Sequence, residues 1–200
     1  MRVGPKYKIA RRLGAHVFEK TQSPKFAVSE QKRKRKFSRP GSVYSRQLLE
    51  KQRVRLNYGL SEKQFSNYVK KAIASEGSNT EAALYTRLET RLDTAILRAG
   101  FATTRGQARQ IANHGHCIVN GTRVDIPSYV VKEGDVIALR TRSADSTLFG
   151  ELDEQVTSTS VPSWIKVDTK AKSFSVTGLP DYGDKKTPFD FGTVIQFYKR

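Results

Sequence analysis

Cysteine is nearly absent. Cys117 is the only one in 200 residues, so no intrachain disulfide and no cysteine-rich zinc site can form. His114 and His116 stand beside it, but a closed tetrahedral site needs four ligands at a spacing this chain does not complete. Neither a metal nor a cofactor is expected. Long apolar runs are missing too: no stretch nears the length that crosses a bilayer, and the N-terminus lacks an apolar signal region. Its Arg-rich, acid-poor start has the look of a transit peptide, yet Gly4-Pro5 and the residues that follow fit a working part better. A cytosolic protein without membrane contact is expected.

Acidic residues are scarce. The chain carries 36 Lys and Arg against 19 Asp and Glu, a formal net charge of +17. Residues 1–60 alone hold seventeen basic and three acidic side chains, so +14 of the surplus is concentrated there. Such asymmetry points to a polyanionic partner. Arg2, Lys6, Lys8, Arg11 and Arg12 are spread among Gly4, Pro5 and Tyr7, and the basic run 32–36 is followed by Phe37, Arg39, Pro40 and Gly41. Neither stretch supplies the broad apolar face of a membrane-surface helix. Basic segments interleaved with aromatics suit phosphate contact and base stacking. On charge alone, a solvated tail or a localisation run is the bland alternative.

After Gly41 the sequence turns helical. Residues 43–58 lack Gly and Pro and end at Gly59, a suitable C-terminal cap. Ser61 with Gln64 forms a capping box, after which Phe65, Tyr68, Val69, Ala72 and Ile73 keep helical spacing. Gly77, Ser78 and Asn79 interrupt, and a stripe of Leu84, Leu88, Leu92, Ala95, Ile96 and Ala99 runs to Gly100, with a break expected near Thr90. Arg87, Arg91 and Arg98 fall off that stripe. They are either a phosphate-facing set or partners of Glu89 and Asp93.

Thr104 and Gln107 predict a second capping box opening a short helix whose Ala108, Ile111 and Ala112 face inward. Arg105 and Arg109, four residues apart, share its outer side near the N-terminus, where backbone N–H groups and guanidinium forks suit phosphate. His114-Gly115 ends the helix. Asn120-Gly121 is a tight turn between two strands, and residues 136–139 form a third. Residues 157–160 read as a Ser/Thr linker, residues 165–167 and 174–176 as further strands, and the apolar close 189–198 as a docked C-terminus. No internal repeat is evident.

Arg91-Leu92-Asp93, Gly100-Phe101-Ala102, Thr104-Arg105, Ala108-Arg109-Gln110, His114-Gly115-His116 and residues 119–124 resemble the RNA-binding module of the ribosomal protein S4 family. Residues 2–13, Glu50-Lys51-Gln52-Arg53-Val54-Arg55, Tyr58-Gly59, residues 64–68, residues 162–168 and Phe197-Tyr198 resemble the rest of that family's chain. The likeness covers nearly the whole sequence. It matters that the flanks match, because similar modules occur in pseudouridine synthases, a tyrosyl-tRNA synthetase and a heat-shock RNA-binding protein. Some family members bind zinc through N-terminal cysteines, and this chain resembles the zinc-free variety.

The resemblance implies an α+β fold: a basic N-terminal arm (1–42), a helical domain (43–90), an RNA-binding module of two helices on a small antiparallel sheet (91–152), and a C-terminal segment docking back (153–200). It implies binding to a multi-helix junction in the 5′ domain of 16S-type rRNA, nucleation of small-subunit assembly, and a place near the mRNA entry with ribosomal protein S5 as neighbour. Effects on translational accuracy belong to the same picture. The candidate RNA-contacting residues are Arg105 and Arg109 first, then Arg98, Arg123, Lys51, Arg53 and Arg55, with Thr104, Gln110, His114, His116 and the arm residues Arg2, Lys6, Lys8, Arg11 and Arg12. An enzyme is the competing class, but no P-loop, nucleophile elbow or dinucleotide fingerprint is present, and Asp181 with Asp184 reads as loop charge. A free RNA-binding stress protein or regulator is the third.

Overall fold

The computed structural model describes residues 3–24, 26, 41–75, 79–144, 146–183 and 187–199. Arg2, the basic run 32–36, Gly77-Ser78 and Asp184 lie outside the described residues. The chain divides into two compact units, residues 1–84 with 183–200 and residues 85–182.

In the first unit, helix α1 (Lys6–Leu13) is followed by two short 3-10 turns, Ala15–Val17 and Glu19–Thr21. This stretch, expected as a basic arm, also supplies core side chains. Ala10, Leu13, Val17, Phe18 and Phe26 are buried and pack with Leu56 in one cluster. The reason is spacing: Ala10, Leu13, Val17 and Phe18 supply an apolar edge that the density of basic residues obscures.

Helix α2 (Val43–Asn57) starts at Ser42, whose hydroxyl accepts from Ser45 N–H, and stops at Gly59 with φ +62°. Helix α3 (Glu62–Ile73) opens with the full Ser61/Gln64 capping box and buries Phe65, Val69 and Ala72. The C-terminal helix α9 (Phe191–Tyr198) packs on α2 and α3. Asp190 caps it by accepting from Thr193 N–H at 2.9 Å, while Glu50 accepts from Asp190 N–H at 3.0 Å. These polar contacts fix the docked C-terminus.

The second unit holds the end of α4 (Thr80–Glu89), α5 (Leu92–Arg98) and α6 (Arg105–Asn113) with a five-stranded antiparallel sheet in the order β2-β1-β3-β5-β4. Its strands are β1 (Cys117–Val119), β2 (Thr122–Val124), β3 (Val136–Leu139), β4 (Ile165–Asp168) and β5 (Ser173–Val176). Asn120 and Gly121 both take positive φ, 49° and 81°, as a two-residue hairpin turn requires. Alternation sends Cys117, Val119, Ile137, Leu139, Phe174 and Val176 to the helix-covered core with Leu92, Ile96, Phe101 and Ile111.

The break near Thr90 has a tertiary cause. Leu92 N–H donates to Tyr129 O and Asp93 N–H to Pro127 O, while Val131 N–H donates to Thr90 O. A returning loop thus takes the backbone groups that a continuous helix would pair internally. Two local readings are corrected. The first half of the Ser/Thr linker, Thr157-Ser158, is the end of helix α8 (Leu152–Ser158), which follows the single turn α7 (Thr141–Ala144), and Thr159 caps it; Thr157 and Thr159 hydroxyls donate to carbonyls four residues back, which lets them sit at a helix end. At α6, Thr104 Oγ1 accepts from Gln107 N–H, but the Gln107 side chain accepts from Thr103, not Thr104. The reciprocal half of that box is shifted by one residue.

Candidate nucleic-acid interface

The second unit builds its basic surface on α6. Thr104 starts the helix, four-residue spacing places Arg105 and Arg109 together, and Ala108, Ile111 and Ala112 are buried beneath. These arginines are half-buried and held from inside. Arg109 Nε and Nη2 donate to Asp93 Oδ2 at 3.0 and 2.8 Å, and Arg91 Nε and Nη2 donate to Oδ1 and Oδ2 of the same carboxylate at 2.9 and 2.8 Å. Asp93 is 4 % exposed and Arg91 3 %, so two guanidinium groups converge on one buried carboxylate. The group keeps one net positive charge. Arg105 Nη1 donates to Thr94 Oγ1 at 3.3 Å.

Arg98 makes a two-pronged pair with buried Glu89, at 2.7 and 2.8 Å. Of the two sequence readings for Arg91 and Arg98, the ion-pair alternative describes their contacts. Even so, about a third of the Arg98 and Arg109 side chains, 30 % and 29 %, remains at the surface. Carboxylates below orient these guanidinium groups, and their outer edges stay accessible to solvent.

At the other end of α6, Gly115 adopts φ +69°, and a Cβ there would run into the Arg123 guanidinium. Only glycine allows Arg123, which is exposed on β2, to lie over the helix terminus. His116 Nδ1 hydrogen-bonds Ser143 Oγ at 2.9 Å, and the His114 and His116 rings lie 5.9 Å apart. Burial, then the positive fields of His114, Arg140 and Arg123, hold the His116 imidazole below its ordinary pKa. His114 and Gln110 are exposed on the same helix end. Arg140 and Ser143 were missed from sequence. Arg140 follows β3 with the outward parity of Ala138, and its N–H donates to His116 O at 2.8 Å, so strand alternation was the available signal.

In the first unit the candidates separate. Lys51 is buried, its side chain 8 % exposed, with Nζ 2.8 Å from Glu62 and 4.6 Å from the Phe197 ring centroid. It holds α9 rather than facing a ligand. Arg53 donates to Leu13 O at 2.6 Å and to Glu50 at 2.8 Å, tying α1 to α2. Arg55 donates to Gln52 and lies 3.4 Å from Glu62. Lys6 stands over Phe18 at 5.7 Å, and Lys6, Lys8, Arg11 and Arg12 are exposed on α1.

Two family models tile most of the chain: a ribosomal protein S4/S9 N-terminal domain over residues 2–89 and an S4 domain over residues 90–137. The chain belongs to the ribosomal protein S4 family. Its full-length likeness to family members agrees. Small ribosomal subunit protein uS4 of Persephonella marina is 41% identical over 204 residues, covering 98% of this chain and 97% of that protein. The uS4 protein of Dehalococcoides mccartyi is 40% identical over 184 residues, covering 92% and 86%. That of Thermus thermophilus is 37% identical over 206 residues, covering 99% and 98%. The S4 domain opens at the Thr90 break and holds α5, α6 and β1 to β3 up to Ile137, so it contains the whole Asp93-centred arginine group.

Proposed function

We propose that this S4-family chain acts within the small ribosomal subunit as a primary rRNA-binding protein, engaging a multi-helix junction of the 5′ domain of 16S-type rRNA and nucleating assembly of the subunit body. It is a structural ribosomal protein, not an enzyme. The observation that carries the finer reading is the arginine set of the S4 domain, in which Arg98 and Arg109 are aimed from below by buried carboxylates. Oriented guanidinium groups meet phosphates converging from several RNA helices without searching rotamers, recognising shape and charge more than base sequence.

Arg105, Arg109, Arg98 and Arg123, with Thr104, Gln110, His114 and His116, form the S4-domain part of the proposed contact surface, and Arg140, just beyond the matched domain in the same unit, adjoins them. Lys6, Lys8, Arg11 and Arg12 form the α1 part, joined by the accessible portions of Arg53 and Arg55; Lys51 is assigned a packing role. By family likeness the proposal extends to ribosomal protein S5 as a neighbour, a position near the mRNA entry with influence on accuracy, and residence in cytoplasmic ribosomes.

The test is binding to a 5′-domain rRNA fragment across a salt series. Affinity should fall steeply, with a log-log slope of the sign given by about −0.9 per neutralised phosphate in duplex DNA. Salt-independent affinity, or failure to cosediment with small subunits through a high-salt wash, would refute the reading. The second outcome would favour a free RNA-binding regulator.

A further inference from the structure

Between α1 and α2 the first unit leaves an open slot of about 480 Å³. Ile9, Leu48 and Leu49 form apolar walls, Lys8 and Arg12 stand at the rim, and Gln52 lies within reach. The volume falls in the range of small-molecule sites, about 300–1,000 Å³. No carboxylate is among the described lining residues. Lys8 and Arg12 are one helical turn apart, exposed, and make no ion pair among the described residues. They differ in this from Arg98 and Arg109, whose charge is met by Glu89 and Asp93.

An apolar slot whose described rim is cationic selects a ligand that is flat and poorly hydrated in one part and anionic in the next. A nucleotide has that division: a base with two π-faces joined through ribose to phosphate. Gln52 adds a polar reader. Its Oε1 accepts from Arg55 at 3.1 and 2.6 Å, which leaves the amide N–H groups as the donors it can offer. We propose that the slot receives an unpaired base of single-stranded RNA, with Lys8 and Arg12 on the adjoining phosphates and Gln52 on the base edge. The proposal rests on the RNA-binding reading above and adds a base-accepting subsite to it. An acidic amphipathic peptide would share the charge complementarity, but it would need a longer apolar groove than one slot of this volume.

The full chain, with labelled Ile and Leu methyl groups, should be titrated with 5′-phosphorylated tri-adenylate, with the matching abasic trinucleotide and with an acidic leucine-rich peptide. Tri-adenylate should shift the Ile9, Leu48 and Leu49 methyl resonances to saturation, whereas the abasic chain should leave them in place. Lys8→Glu with Arg12→Glu, both at exposed positions, should weaken tri-adenylate at least tenfold while the methyl spectrum stays folded. Leu49→Trp, filling the slot, should abolish the shifts; if it unfolds, the charge variant decides. Methyl groups unmoved by tri-adenylate, moved equally by the abasic chain, or moved only by the peptide would overturn the proposal. A parallel gel shift with the 5′-domain fragment separates the two readings: binding there with silent methyl groups overturns the slot alone, and no binding overturns the rRNA reading as well.

Discussion

Arg109 donates twice to Asp93, a carboxylate that Arg91 already engages through both of its oxygens. An arginine of the proposed interface is therefore also part of a buried ion cluster. Sequence spacing alone predicts that Arg105→Ala with Arg109→Ala would be nearly neutral for stability, as exposed charges are. The structure revises that expectation for Arg109. Its removal should cost about 1.5–3 kcal/mol, the range for hydrogen bonds to a charged group. Arg105→Ala should cost less, and both should lower rRNA affinity. Asp93→Asn should be worse than either, about 3–5 kcal/mol, because it strips the buried Arg91 of its counter-charge. Urea unfolding of the three single variants checks the order.

Removing residues 1–26 should destabilise the first unit rather than merely weaken RNA binding. The deletion takes away the buried Ala10, Leu13, Val17, Phe18 and Phe26 and the Leu13 carbonyl that accepts from Arg53. Phe18→Ala isolates the packing contribution, with an expected loss of about 3–5 kcal/mol. Circular dichroism melts that match the full chain in both cases would show that α1 contributes nothing to the core.

Gly115→Ala should act on Arg123 as well as on the backbone. Left-handed φ costs a non-glycine residue about 1–2 kcal/mol, and the added Cβ displaces the guanidinium lying over the helix end. The variant should lose rRNA affinity comparably to Arg123→Ala and lose more stability than Arg123→Ala does. Thermal melts paired with a binding titration distinguish the two effects.

His116 gives a pH dependence whose sign is fixed by its environment. In the folded protein its pKa lies below the ordinary 6.5, so as pH falls through 6.5 the unfolded chain takes up the proton first. Stability contributed by neutral His116 is present above about pH 6.5 and lost below it. Phosphate nearby would pull the other way, raising the pKa and making rRNA affinity grow on acidification by at most about one log unit per pH unit for one proton. His116→Gln should flatten both trends, read as Tm and affinity between pH 7.5 and 5.5.

Lys51→Met should leave the salt dependence of rRNA binding unchanged, since Lys51 is enclosed by Glu62, Phe197 and Tyr198. Its effect should appear as looser docking of α9 and a lower Tm. Lys8→Gln, at an exposed position, should reduce the salt slope by roughly one phosphate's worth with little change in Tm. A reduced slope for Lys51→Met would mean that the lysine leaves its cage on binding.

Helices α2 to α6 and the strands were legible in the sequence because their signals are local, whereas α1 and α8 were not read as helices. Ser61 with Gln64, Gly59, Asn120-Gly121 and the inward alternation of β1, β3 and β5 each act through neighbours a few residues away, so helix starts, stops and strand faces follow from chain order. The basic surplus was equally legible, and with it the class of partner. What the tertiary structure decided was the state of individual charges. Whether Arg98 or Lys51 faces solvent depends on Glu89, nine residues away, and on Phe197 and Tyr198, far along the chain. The same holds for Arg140 beside His116, and for α1, whose apolar edge becomes core only when α2 supplies Leu49 and Leu56. Periodicity is set by covalent neighbours, whereas the pairing and burial of a long charged side chain are set by what folding brings across space.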